Sequence, residues 1–379
     1  MQLLKAKDLT DYFFVAAFVL FQVAFLVQLY YILVIQRGLR SYKGKTENTL
    51  CHPVSVIICA RNEERNLQEN LPMILEQDYP EFEVVVVNDC SLDESDQVLR
   101  AFAQKYPHLK VVTLTEHSRF KHGKKFAVTI GIKAAKHEQL LFTDADCKPA
   151  SKSWINRMQQ NFSGGIEIVL GYSPYQKEAG FLNALIRFET FYTALNYLSF
   201  ALAGRPYMGV GRNMAYKKSL FFKGKGFASH MHIPSGDDDL FVNQNATATN
   251  TAIEIHPETH VWTEPKRSFS SYFRQKVRHM GAGKAYKTSD KYSLSVQTAS
   301  ALLFYLMLML LVVLNAQWWL LVSIYLIRLS VQAIIYYPVF KKLSYKDLIW
   351  LLPALDLIYN FYILVLSIIS LFKKKVEWK

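Results

Sequence analysis

The chain has 379 residues, 51% of them hydrophobic, and a formal net charge of +13. Its basic residues crowd the ends of apolar segments and form no aromatic-interleaved stripe or recognisable motif, which excludes a nucleic-acid-binding class. Cys51, Cys59, Cys90 and Cys147 show no C-x-x-C pairing or zinc spacing and suit a reducing compartment.

Residues 13–35 carry no charge and only two glutamines. As a helix they are long enough to cross a hydrocarbon core of about 30 Å. No small-residue cleavage site follows, so residues 1–45 read as a transmembrane anchor with a basic flank rather than a signal peptide. Arg37, Arg40, Lys43 and Lys45 outnumber Lys5 and Lys7, which directs the following segment to the cytoplasm.

A polar middle segment follows. Residues 53–62 form a β-branched run ending in polar residues, the pattern of a buried strand running into a loop. A helix opens at Glu63–Leu67 and ends by Tyr79-Pro80, and a second strand over 82–87 stops at Asn88-Asp89. A helix near 94–105, a strand over 110–114, a helix over about 124–136 and the apolar run into Asp144 complete the alternation. Strands and helices at this spacing predict a parallel sheet covered by helices. Such sheets bind ligands beyond the carboxyl ends of their strands, where Asn62-Glu63, Asp89 and Asp144/Asp146 all fall. The Asp144-Ala145-Asp146 triplet reads either as a turn or as a site for a hard cation such as Mg²⁺, held by a few carboxylates plus substrate phosphate. No G-x-G-x-x-G follows the first strand, and His122-Gly123-Lys124-Lys125 lacks the upstream glycine of a P-loop. Both absences disfavour a dinucleotide fold or an ATPase.

The C-terminal region, 295–379, carries three apolar runs, 298–314, 317–338 and 348–372. Arg328 is the only charge in the first two, and the third contains Pro353 and Asp356. A carboxylate in lipid requires a partner, either in interhelical packing or in a polar acceptor groove. Three full spans would leave Lys373–Lys375 on the outer face, against the positive-inside rule, unless the last run is broken.

The strings VSVIICARNEERNL, EVVVVNDCSLDES, HGKKFAVTIGIKAA and TDADCKP, in that order, resemble a membrane-bound family 2 glycosyltransferase with the GT-A fold, related to polysaccharide synthases and lipid glycosyltransferases. The resemblance covers residues 50–290. It implies an α/β, nucleotide-sugar-binding, mostly parallel mixed sheet in the cytoplasm, joined to transmembrane helices. It assigns Ala60, Arg61 and Glu63 to the first nucleotide loop, Asp89 to uracil and Lys124 to the approach of the nucleotide. Asp144 and Asp146 match the metal-diphosphate motif, with Mg²⁺ or Mn²⁺ as the cation.

Further along, residues 208–216 resemble an acceptor-side stretch. Ser235-Gly236-Asp237-Asp238-Asp239-Leu240 resembles the Glu-Asp-x-Asp-Leu block that supplies the catalytic base. Aligning the final Asp-Leu makes Asp237 the base. Gly236 stands where the family has Glu, so Asp238 is the second choice, and the residues alone also fit an acidic helix N-terminus. Gln275, Arg278 and His279 match a Gln-x-x-Arg-Trp motif on an interfacial helix over about 268–288, with His replacing Trp. The resemblance therefore implies an inverting transfer from a UDP-sugar to a hydroxyl of a lipid or lipid-linked glycan, in a multi-pass protein of the bacterial inner membrane, in contact with membrane lipids. A processive polysaccharide synthase and a non-catalytic sugar-nucleotide-binding protein are the alternatives.

Overall fold

A computed structural model of the chain describes residues 9–44, 51–115 and 123–372. Helix α1 (Leu9–Tyr30) runs through a π-helical turn, Tyr31–Gln36, into α2 (Arg37–Ser41). Strand β1 (Val54–Ala60), α3 (Glu64–Leu75), β2 (Phe82–Asp89), α4 (Ser95–Lys105), β3 (Leu109–Leu114), α5 (Lys124–Ala134) and β4 (Gln139–Asp144) follow in the alternation that the apolar pattern predicts. After β5 (Cys147–Pro149) come α6 (Trp154–Gln159), β6 (Ile168–Leu170), α7 (Phe181–Leu202), β7 (Met214–Lys217) and α8 (Lys218–Lys223). Then come α9 (Asp239–Asn245), β8 (Thr251–Ile253), β9 (Val261–Thr263), α10 (Phe269–Gly283), α11 (Thr288–Val313), α12 (Trp318–Lys342) and α13 (Leu352–Phe372).

Seven strands form one mixed sheet in the order β3-β2-β1-β4-β7-β6-β8, and β5 pairs with β9 in a small second sheet. The first four strands are parallel, and β7 joins β4 antiparallel. The chain leaves β1 toward β2 and β3, then returns to β4 on the other side. The crevice between the ends of β1 and β4 is thus a topological switch point, and Asp144 sits there opposite Cys59. Strands β1 and β2 are apolar through their centres, Val56–Ile58 and Val84–Val87, because both faces are covered. Val56, Ile58, Val84 and Val86 point into one core cluster, Ile57 and Val85 into the other. Each such burial contributes about 1.5–3 kcal/mol.

Gly131 permits the closest of these contacts. A Cβ there would lie 2.8 Å from Ile57 Cγ2, so only glycine lets α5 settle on the sheet at this depth. That depth brings Lys124, the first residue of α5, to the sheet edge.

Among the described residues, four helical segments are long and apolar enough to cross a membrane: Tyr12–Ser41, Thr288–Val313, Trp318–Lys342 and Lys346–Ile369. Several of their polar residues pair between helices. Gln28 Nε2 donates to Ser300 Oγ at 2.7 Å, Tyr31 OH to the Ser293 carbonyl at 2.7 Å, and Tyr336 OH to Gln36 Oε1 at 2.7 Å. Asp356 accepts from Arg328 Nη1 and Gln332 Nε2, each at 2.9 Å, and from Tyr305 OH at 2.5 Å. Of the two expectations for Asp356, interhelical packing is the one found. The last apolar run is a 3₁₀ turn, Lys346–Leu351, leading directly into α13. Lys373–Lys375 lie outside the described residues.

Helix α7 ties these parts together. Its Asn196 Oδ1 accepts from Gln36 and from Gln297, both at 2.9 Å, so a helix set between sheet strands β6 and β7 holds the first span and α11 at once.

Candidate active site

Three stretches distant in sequence meet beyond the carboxyl ends of β1 and β4. Asp144 ends β4, Asp146 lies in the two-residue turn before β5, and the intervening carbonyl of Ala145 accepts from Asn70 Nδ2 of α3 at 3.1 Å. That bond fixes the turn and holds both carboxylates on one side. From α5, Lys124 Nζ lies 2.9 Å from Asp144 Oδ1 and 3.2 Å from Asp237 Oδ2. Burial works to lower the Lys124 ammonium, yet Asp144, Asp237 and Asp238 together hold it well above its ordinary value. Burial likewise works to raise the Asp144 carboxyl, but Lys124, then Arg212 and Arg278, hold it below the usual carboxylate range. Both groups are therefore charged.

The acidic block is less alike than its sequence. Asp238 caps α9: its Oδ1 accepts from the Asp239 amide and its Oδ2 from the Gly211 amide, each at 2.8 Å. Asp239 accepts from the Leu240 amide at 2.7 Å and from Tyr286 OH at 2.9 Å. Burial, with Asp238 beside it, pushes the Asp239 carboxyl up to about 8. Asp237 alone of the three faces Lys124 within ion-pair distance. Gly236, where a glutamate stands in the resembling block, has φ +94°, and a Cβ there would lie 2.5 Å from Leu240 Cδ1. This turn accepts only glycine, which accounts for the departure.

Lys124, Asp144, Asp146, Asp237, Asp238, Gln275 and Arg278 all line one cavity of about 760 Å³. Its far wall is α7, with Thr190, Thr193 and Tyr197, and its rim is α10. The described walls do not include Ala60, Arg61, Glu63 or Asp89. Those four lie along the same sheet edge: Ala60 ends β1 in register with Asn88, and Asp89 ends β2, fully buried. Glu63 accepts from Asn66 Nδ2. Burial raises its carboxyl; the Asn66 bond opposes this, and Asp146 and Asp144 add to it. The backbone of His279 belongs to α10, but its side chain lies outside the described residues.

The carboxylates suit a divalent cation only in part. Among the described residues no group of three or more His, Cys, Asp or Glu could enclose a metal. Asp144 and Asp146 nevertheless offer hard oxygens on an open side, and the site already holds one cation, the Lys124 ammonium. Two carboxylates with the remaining ligands left to substrate oxygens is the Mg²⁺ pattern, so the donor set fits.

Arg212 carries no role in the sequence reading, although it sits within the quoted 208–216 stretch. Its guanidinium lies over the Tyr175 ring at 4.6 Å, and its Nη1 is buried without a hydrogen-bond partner. It acts electrostatically on both Asp144 and Asp146. The only signal in the sequence is an arginine between Gly211 and Asn213, immediately before a buried strand.

A mostly parallel sheet with a carboxylate pair at its switch point, a lysine bridging to a second acidic block and a roofing α10 define a GT-A fold glycosyltransferase domain. The likeness extends to a solved structure, a mannosyltransferase from Pyrobaculum calidifontis in complex with GDP-Man and Mn²⁺, at a TM-score of 0.61 over 92% of this chain and 99% of that one; with 18% identity it speaks for the fold. Residues 55–223 match the family described as Glycosyl transferase family 2, and the chain carries a domain of that family. Among curated relatives, the glycosyltransferase AglE of Haloferax volcanii is 34% identical over 121 residues, 31% of this chain and 38% of that protein. The poly-beta-1,6-N-acetyl-D-glucosamine synthase of Staphylococcus epidermidis is 31% identical over 107 residues, 28% of this chain and 25% of that protein. The chain thus matches well under half the length of these relatives.

Proposed function

We propose that this chain transfers a sugar, with inversion, from a nucleoside diphosphate donor to a hydroxyl of a lipid or lipid-linked saccharide at the cytoplasmic membrane face. The observation that carries the reading is the Lys124 ammonium set between Asp144 and Asp237. One cation joins the carboxylates suited to a metal-diphosphate to the one best placed as a base.

In this reading Asp144 and Asp146 hold the divalent cation, Mg²⁺ or Mn²⁺. When bound, that ion supplies Lewis-acid neutralisation of the leaving diphosphate. Lys124 and Arg278 add positive charge on the same oxygens, and Arg212, stacked and rigid, is a third donor. Drawing Lys124 toward the diphosphate frees Asp237 to take the acceptor proton. Asp238 is the less available base because both its oxygens accept backbone amides, although burial and the neighbouring Asp237 raise its carboxyl. Ala60, Arg61, Glu63 and Asp89 form the nucleotide end, with uracil the favoured base. The relative solved with GDP-Man makes guanine the alternative to test.

The acceptor enters from the α7–α10 side, where Gln275 and Arg278 line the cavity. Phe181 and Phe269, at the starts of these two helices, are both more than half exposed and lie 6.5 Å apart, an apolar pair suited to the bilayer surface. The charges flanking the spans support the cytoplasmic side for the sheet. Arg37, Arg40, Lys284, Lys287, Lys341, Lys342 and Lys346 flank the ends nearest it, whereas the loop 314–317 at the opposite end has no charge.

The test is to incubate the purified chain with UDP- and GDP-sugars, Mg²⁺ or Mn²⁺ and membrane lipid extract. Released nucleotide and the mass of the lipid product are then measured. A sugar-bearing lipid formed by the wild type and not by Asp237→Asn supports the reading; equal nucleotide release by both would overturn the assignment of the base.

A further inference from the structure

A second hollow, of about 580 Å³, opens where the connection between α12 and α13 meets the first residues of α7 and strand β9. It is separate from the transfer cavity and shares no lining residue with it. Its floor is Arg187, 3% exposed, whose Nη1 and Nη2 donate to the two oxygens of Asp347 at 2.9 and 2.6 Å. The guanidinium carbon lies over the Tyr345 ring, 4.6 Å from its centroid, and the Nε is buried with no hydrogen-bond partner. Lys177 Nζ reaches the same Asp347 at 3.0 Å, so one carboxylate serves two cations. Lys341 and Lys346 also line the hollow, and no acid among the described residues pairs with either. Four cations face a single carboxylate, and a buried guanidinium edge is left over.

The place of this excess charge matters as much as its sign. Lys341 belongs to the last turn of α12, and Lys346 and Trp350 to the 3₁₀ turn that opens into α13. Both candidate spans therefore end at the hollow. Trp350 is 87% exposed, which places a bare indole where α12 has ended and α13 begins. Tryptophan and lysine together at span ends mark the headgroup level of a bilayer. Basic pockets between transmembrane helices at that level suit acidic headgroups. A free phosphate would engage the lysines but leave the indole in water.

We propose that this hollow binds the phosphate of an anionic phospholipid headgroup. Lys341 and Lys346 contact the phosphate oxygens, Arg187 Nε donates from the floor, and Trp350 lies against the glycerol and upper acyl region. The site does not depend on the glycosyl-transfer reading, since none of its residues reaches that cavity. Because Arg187 belongs to α7, which also lines the transfer cavity, an occupied hollow holds α7, α12 and α13 in one arrangement.

The experiment uses the full chain in nanodiscs of mixed phosphatidylglycerol and phosphatidylcholine, with bound lipid read by native mass spectrometry and by titration of short-chain phosphatidylglycerol. Each lysine near an anionic surface is worth on the order of fivefold in affinity. Lys341→Gln/Lys346→Gln is therefore expected to bind the anionic lipid about 25-fold more weakly, with phosphatidylcholine adducts unchanged. Lys223→Gln/Lys225→Gln, two exposed lysines of the soluble surface, removes the same charge and is expected to have no effect. Equal lipid binding by wild type and the Lys341/Lys346 variant overturns the proposal, as does an equal loss in the control variant. Displacement of the lipid by sn-glycerol 3-phosphate at the concentration at which short-chain lipid displaces it would assign the hollow to a soluble phosphate instead.

Discussion

Lys124 and Asp237 form an ion pair of 3.2 Å, and the same ammonium reaches Asp144 at 2.9 Å. A carboxylate paired to an ammonium is a poor base, so the arrangement expects a donor diphosphate to draw Lys124 away before Asp237 acts. Asp237 and Asp238 should therefore separate cleanly by mutation. Asp237→Asn is expected to lower the transfer rate by about 10²–10⁴, the usual range for a lost general base. Its melting temperature should change little. Asp238→Ala removes the cap of α9 and orphans the Gly211 amide, a loss of about 2–3 kcal/mol in stability. Nucleotide-release kinetics and thermal melting of both variants decide the matter. A rate loss confined to Asp238 variants that melt normally would reverse the assignment.

Gly236 invites a second measurement, because restoring the glutamate of the resembling block looks harmless on paper. At φ +94°, with Leu240 Cδ1 2.5 Å from the missing Cβ, any side chain is strained and overlaps the core. Gly236→Ala should cost roughly 2 kcal/mol and Gly236→Glu more, since the left-handed conformation alone accounts for about 1 kcal/mol. Melting of the two variants in detergent checks this, and a Glu variant as stable as wild type would contradict the geometry.

The buried pair Arg328–Asp356 gives a third. Both side chains are 3% exposed or less, with 2.9 Å between Nη1 and Oδ2. Removing one partner leaves an uncompensated charge, and Asp356→Leu or Arg328→Met alone is expected to cost about 3–5 kcal/mol. The double variant should recover most of that loss, because well-packed apolar groups often replace a buried pair without penalty. Unfolding in mixed micelles, with all four combinations, measures the coupling. Additive losses in the double variant would refute it.

How much of this was legible in the sequence follows from which interactions are local. The run Val54–Ala60 and the strand ending at Asp144 announce themselves by composition, because a strand buried on both faces has to be apolar. Asp144, Asp146, Lys124 and Asp237 were placed in one site by resemblance, and the structure brings them within a single cavity. The different surroundings of Asp237 and Asp238 are not legible in the sequence, since they depend on the Gly211 amide, which lies 27 residues away. Arg212 has little local signature, because its meaning comes from Tyr175 and the two distant carboxylates it faces. The Arg187–Asp347 fork, 160 residues apart in sequence, has no local signature at all.

His260 supplies a pH dependence whose sign follows from its contacts. The ring is 1% exposed; its Nε2 lies 3.2 Å from the Ile255 carbonyl and its Nδ1 3.3 Å from Ser344 Oγ. In the neutral tautomer Nε2–H donates to the carbonyl and Nδ1 accepts the hydroxyl, so both nitrogens are satisfied without charge. Burial lowers its pKa from 6.5 to about 4, with the Ile255 bond opposing and His256 adding. The unfolded chain therefore binds a proton that the folded chain refuses between these values. Stability from this group is fully present above pH 6.5 and is lost as pH falls toward 4, by roughly 3 kcal/mol in all. Because Ser344 follows α12, the loss should also loosen the seat of the membrane helices on the sheet. Melting temperature measured from pH 7.5 to 4.5 should fall more steeply for wild type than for His260→Gln, whose amide can donate to Ile255 without titrating. Parallel curves for the two proteins would assign the acid sensitivity to another group.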